Sequence, residues 1–156
     1  MKKFAANYMV SDGGQLLKNG IVITDDDGFV AELIDTRGDL DEMDRLIFLN
    51  GILLPECLYF RNLQEEMKND QEDLPGQFIL QLMSRLDQLS ANQIFDIAQQ
   101  VQFQFPDRTI AEIFIAIYSF LDTYFIRKKS SGLFLIIGSD LVPLHFTERS
   151  RLKKIV

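Results

Sequence analysis

The chain has 156 residues, 47% hydrophobic and 25% charged, with a formal net charge of -7 and one cysteine. That length and apolar content suit one soluble globular domain with a real core, spanning residues 1–156. The acidic balance argues against nucleic acid, which demands a basic face, and a lone Cys57 excludes an internal disulfide.

The charge is unevenly spread. Asp25, Asp26, Asp27, Asp39, Asp41, Glu42, Asp44, Glu65, Glu66 and Asp73 face few bases in their part of the chain, whereas Arg127, Lys128, Lys129, Arg149, Arg151, Lys153 and Lys154 reverse the sign near the end. Such ends attract one another or keep the protein soluble, and the sharper reading is an acidic-to-basic contact between chains. Met1-Lys2-Lys3-Phe4 leads into no long apolar run, which argues against a signal peptide. The most apolar stretch, 113–121, is about half a membrane span. The expected setting is cytoplasmic, without a membrane partner.

Taken in chain order, residues 4–10 read as a short apolar strand. The β-branched run 20–24 and the run 29–34 flank Asp25-Asp26-Asp27-Gly28, which reads as a hairpin with Gly28 at positive φ. Residues 35–44 read as an acidic loop. Two further strands are expected at 46–49 and 52–54, broken at Asn50-Gly51 and ended by Pro55, and 62–73 reads as a linker or solvated helix.

From there the period changes to three and four. Leu74, Phe78, Ile79, Leu82, Met83, Leu86 and Leu89 predict an amphipathic helix. Ser90-Ala91-Asn92-Gln93 has the form of a capping box opening a second helix, which Pro106 stops. Thr109-Ile110-Ala111-Glu112 is another, opening a third helix to about Phe125. A basic loop at 127–131 precedes a buried strand at 132–138 and two shorter strands at 141–146 and 152–156. Strands, then helices, then strands place both termini in one sheet around a helical insert, an α+β class. The β part covers 1–60 and 130–156, and the insert covers 74–125.

Leu17-Lys18-Asn19-Gly20-Ile21-Val22-Ile23, the acidic hairpin and Asn50-Gly51-Ile52-Leu53-Leu54-Pro55 resemble the opening of the amidohydrolase superfamily, in its cytosine-deaminase-like and chlorohydrolase-like branch. Residues 94–106, Thr109-Ile110-Ala111-Glu112-Ile113-Phe114, Gly132-Leu133-Phe134-Leu135-Ile136 and the closing segment 147–156 are similar to that family's end. The likeness covers 1–60 and about 92–156. It implies a small β-sandwich formed by both termini, with the three helices packed against it.

The resemblance also shows what is missing. In the family a glycine follows Leu-Pro, and a His-x-His pair binds the catalytic metal a few residues on. Here Glu56 follows Pro55, and Arg61-Asn62-Leu63 stands where the pair would be; arginine cannot ligate a cation and leucine has no donor. The short stretch between the matched halves leaves no room for the metal-bearing barrel. The family's Asn-Gly-Ala falls near Phe120-Leu121-Asp122. No catalytic, metal-binding or cofactor-binding residue is therefore assigned, and no cofactor is expected.

Single residues give the same reading. His145 lacks the partners a zinc site needs. Cys57 sits in an apolar context and reads as a buried, inert thiol. Asp25-Asp26-Asp27-Gly28 lacks the ligand spacing of a calcium loop.

The third helix is apolar almost all round, so it is buried on every side or shares a face with another molecule. Ile113, Ile117, Phe120, Leu121 and Tyr124 are the candidate interface of a dimer. The expected function is that of a non-catalytic, barrel-less amidohydrolase relative acting through self-association or through hetero-association with an amidohydrolase. The alternatives are a small-molecule binding module, and residual hydrolase or deaminase-like activity only in complex with a full-length amidohydrolase.

Overall fold

The computed structural model describes residues 1–41 and 43–156; Glu42, one of the acids of the expected 35–44 loop, lies outside the described residues. The chain forms an α+β fold. Its strands are β1 Lys2–Val10, β2 Leu16–Lys18, β3 Ile21–Thr24, β4 Val30–Ile34, β5 Leu46–Arg61, β6 Gln88–Leu89, β7 Phe125–Ile137 and β8 Arg151–Lys154; its helices are α1 Leu74–Met83, α2 Ala91–Gln104 and α3 Ile110–Tyr124. The strands join in one eight-stranded sheet of order β4-β3-β1-β5-β7-β8, with β2 on β1 and β6 on β5. The β1–β5 pair is parallel and the others are antiparallel. Opening and closing strands thus share a sheet, as the element order requires.

Strand periodicity sends alternate residues to opposite faces, and β1 feeds separate cores. Phe4, Ala6 and Met9 meet Val22, Leu53, Leu133 and Leu135 on one face. Val10 instead joins the larger cluster under the helices. The register shift between Ala6 and Tyr8 re-aims the side chains between these two duties. The sheet coils: the Gly132 N–H donates to the Gly28 carbonyl at 3.0 Å, so the β3–β4 turn reaches β7 across the concave face. The layers around that face belong to one continuous sheet wrapped on itself.

The helices begin where polar side chains satisfy free N–H groups. Asp73 Oδ1 accepts from Gly76 N at 3.0 Å to open α1, and Gln93 Oε1 accepts from Ser90 N at 2.9 Å to open α2. At α3, Thr109 Oγ1 accepts from Glu112 N while Glu112 Oε1 accepts from Thr109 N, both at 3.2 Å, a complete capping box.

Several boundaries differ from the sequence-based expectation. The two strands expected at 46–49 and 52–54 are one strand of 16 residues that runs through Asn50-Gly51 and past Pro55. Gly51 makes this possible at φ 142°: a Cβ there would sit 2.4 Å from the Ile136 carbonyl oxygen, so only glycine lets β7 close against the bend. Pro55 stays at a register shift between Pro55 and Cys57, where a missing N–H is tolerated. The linker 62–73 has no helix. The first helix ends at Met83, not near Leu89, because residues 88–89 pair with β5 instead. The expected basic loop at 127–131 is continuous strand, held by pairs such as Tyr59↔Arg127 and Cys57↔Lys129. Residues 141–146 form a turn closed by the Asp140–His145 bridge, not a strand. Gly28 has φ 87° in the hairpin, as the turn requires.

Candidate functional site

The candidate interface read from the sequence lies on helix α3. Ile113, Ile117, Phe120 and Leu121 are buried within the chain and Tyr124 is half-buried. The expected apolar strip is therefore not available on this helix as an interface, and that assignment is corrected. The physical reason is a cover the sequence did not reveal. The turn after β7 folds back over the helices, and the Leu144 carbonyl accepts the first N–H of α3, from Ile110, at 2.7 Å. Phe146 packs edge-on to Phe95 and Phe114, with ring centroids 5.7 and 6.5 Å apart. Of the large apolar residues of α3, Ile115 remains half exposed, at 50%.

In the segment Arg61-Asn62-Leu63, Arg61 and Asn62 serve the packing of the chain. Arg61 Nη2 donates to the carbonyls of Met83 at 2.9 Å and Leu86 at 2.6 Å, and Nε adds a 3.2 Å bond to Leu86. Its guanidinium lies 5.7 Å from the Phe125 ring centroid. These carbonyls close the end of α1, where a cation is favoured by the helix dipole. Asn62 N donates to the Tyr124 carbonyl, and Leu63 is fully in solvent. Among the described residues, no group of three or more His, Cys, Asp or Glu side chains is arranged to hold a metal ion.

A charged cluster lies between the β1–β2 turn and the β5–β7 pair. Arg127 Nη2 donates to Asp12 Oδ1 at 2.8 Å, beside a pocket of about 470 Å³ that includes Glu56, Cys57 and Lys129. Burial pushes the Cys57 thiol up, with Arg127 opposing only in part, so the sulfur stays protonated near neutrality and is a poor nucleophile. Burial likewise raises the hydroxyls of Tyr59 and Tyr118. Burial works against the Arg127 charge, but the Asp12 carboxylate and the neighbouring thiol and phenol leave its pKa raised. The thiol and the phenols are held neutral by burial and Arg127 is paired with Asp12, which suits packing better than proton transfer.

His145 borders a different opening. An open groove of about 890 Å³ runs between the end of α2 and the turn at 145–148, lined by Phe78, Phe103, Pro106, His145, Phe146 and several glutamines. Phe103 stands on its rim, 87% exposed. The buried Gln102 ties the walls together: its Nε2 donates to the Arg108 carbonyl and its Oε1 accepts from Phe146 N at 2.6 Å. No sequence signal marked Gln102, since it sits among glutamines that face solvent.

The remaining feature is a sheet edge. Residues 46–49 of β5 pair with β1 on one side, Asn50 follows in the register shift, and the β5–β7 pairing begins only at Ile52. Among the described residues no strand covers their other side. Gly138, at φ 80°, turns β7 away just there; a Cβ on it would lie 2.2 Å from the Arg149 carbonyl oxygen. Ile47 and Phe48 are left 47% and 45% exposed. Other open edges are blunted by shortness or charge: β4 has 5 residues including Glu32, β8 has 4 of sequence RLKK, and the part of β7 that β8 leaves uncovered carries Arg127, Lys128 and Lys129.

No family model matches the chain. No curated protein and no solved structure matches it significantly either. Among the described residues, no helix is long and apolar enough to cross a membrane.

Proposed function

We propose that this chain is a non-catalytic relative of the amidohydrolases that works by association, with the open edge of β5 as its contact. The observation that carries this reading is the apolar edge at 46–50, unpartnered in a sheet whose other edges are protected. An exposed apolar edge is a template for another strand, and chains that do not use one commonly blunt it. The kinship rests on the resemblance of the two ends, and their meeting in a single sheet supports it. Arg61, which clamps α1 where the family would bind metal, supports a role without metal chemistry.

The test joins two assays on the purified chain. One measures mass in solution across a wide concentration range, and the other measures turnover of amidine and cyclic-amide substrates with divalent zinc, iron or manganese added. Association without turnover agrees with the reading. Turnover by the isolated chain overturns it.

A second reading is a small-molecule binding module. The groove beside His145 favours it, because aromatic and amide side chains converge there on an open volume. A compound that copurifies with the chain and is lost on Phe103→Asp would select this reading.

A further inference from the structure

Resting on the association reading, we infer that the occupant of the β5 edge is a second copy of this chain, paired antiparallel about a two-fold axis at Phe48. Three observations lead there. The edge is short and ends sharply at both limits: Arg45, at φ 59°, brings the chain in from a turn, and beyond Gly51 the edge is taken by β7. A strand that adds here must be equally short, and the same segment of another copy meets that condition by construction.

The second observation is charge. Residues 46–50 carry none, and the two bases at their entrance each engage Asp44: Lys3 Nζ donates to its carbonyl at 3.3 Å and Arg45 Nε lies 4.0 Å from its carboxylate. In the acid-rich part of the chain that surrounds this edge, self-contacts set like charges against one another. Two copies of this edge meet without that opposition.

The third is the alternation of faces. A two-fold axis normal to the sheet keeps each face continuous only if it passes through a residue, so that opposed positions share parity. Centred on Phe48, it sets Phe48 against its own copy, Ile47 against Leu49 and Leu46 against Asn50. Ile47 and Leu49 extend the face that carries Phe4 and Ala6, their register partners in β1. Leu46 and Phe48 extend the face of Ala5. The apolar rows of the two copies thus join on both faces. A contact this short falls well below the roughly 1,200 Å² of a standard interface, so the dimer is reversible and concentration-dependent.

Sedimentation velocity of the full chain over a wide concentration range tests this, with cysteine linking as a second measurement. The mass should rise from one chain towards two. Phe48→Lys and Ile47→Lys, both at half-exposed positions that leave the core intact, should each weaken the association at least about tenfold without changing the melting temperature appreciably. Phe103→Lys, in the groove, should leave it unchanged. Directly opposed Cα atoms in an antiparallel pair lie within reach of a disulfide, so Phe48→Cys should give a covalent dimer on mild oxidation, while wild type and Val142→Cys do not. A single-chain mass at every concentration overturns the inference. So does a dimer indifferent to both lysines, or equal linking through Val142→Cys. A dimer indifferent to the lysines still leaves association standing, whereas turnover in the hydrolase assay removes that underlying reading whatever the mass.

Discussion

The Glu56 carboxylate, in the register shift of β5, accepts the backbone N–H of Ala91 at 3.0 Å and so caps the start of α2 from the sheet. The residue is 7% exposed, and burial raises its pKa, with the Ala91 N–H and the Lys154 charge opposing in part. A raised folded-state pKa means the folded chain holds this proton more tightly than the unfolded chain does. The stability it contributes is full below the ordinary glutamate range and is lost as pH rises through the folded value. Glu56→Gln keeps the acceptor and removes the charge. Its melting temperature should exceed that of wild type at neutral pH, and the difference should close on acidification below the ordinary glutamate range.

Thr24 is fully buried in β3, and its Oγ1 has no hydrogen-bond partner. An orphaned buried hydroxyl costs about 1–3 kcal/mol. Thr24→Val retains the β-branched shape and should stabilise the chain by about 1 kcal/mol, read as a shift in the urea midpoint with unchanged slope.

Arg61 holds the end of α1 through three bonds to two carbonyls. Arg61→Met fills the space and leaves those carbonyls unpaired, which should cost about 3 kcal/mol by equilibrium denaturation. Added zinc should not restore the loss, because the arginine acts as a clamp and not as a ligand.

Helix α3 separates the two pictures of the interface. Ile117 is fully buried, so Ile117→Glu places an unpaired charge in the core and should unfold the chain instead of splitting a dimer. Ile115→Glu, on the half-exposed side, should change stability by no more than about 0.5 kcal/mol. Circular dichroism of the two variants reads the difference.

Local signals carried most of the fold into the sequence. Thr109 with Glu112 and Ser90 with Gln93 mark helix starts, Gly28 marks the hairpin, and the change from helical to strand periodicity places both ends in one sheet. Long-range geometry decided what was missed. Asn50-Gly51 reads as a break when only neighbours are considered, yet the approach of Ile136 turns it into a bend within one strand. Residues 127–131 look like a basic loop because Arg127, Lys128 and Lys129 are consecutive, and the sequence does not reveal their strand partners on β5. The apolar surface of α3 was legible, but its cover, the turn carrying Leu144 and Phe146, arrives from a segment some thirty residues on. The open edge did leave a trace: Leu46-Ile47-Phe48-Leu49 is uncharged, whereas β8 is mostly charged.

In the proposed association the β5 edge, and not α3, is the contact surface. Amide hydrogen exchange, followed residue by residue at low and at high protein concentration, tests it most directly. Amides within 46–50 that point away from β1 should exchange fast in the dilute chain and become protected as concentration rises, while those of 113–121 stay protected throughout. Exchange at 46–50 that ignores concentration, or protection that appears instead along α3 or the His145 groove, would contradict it.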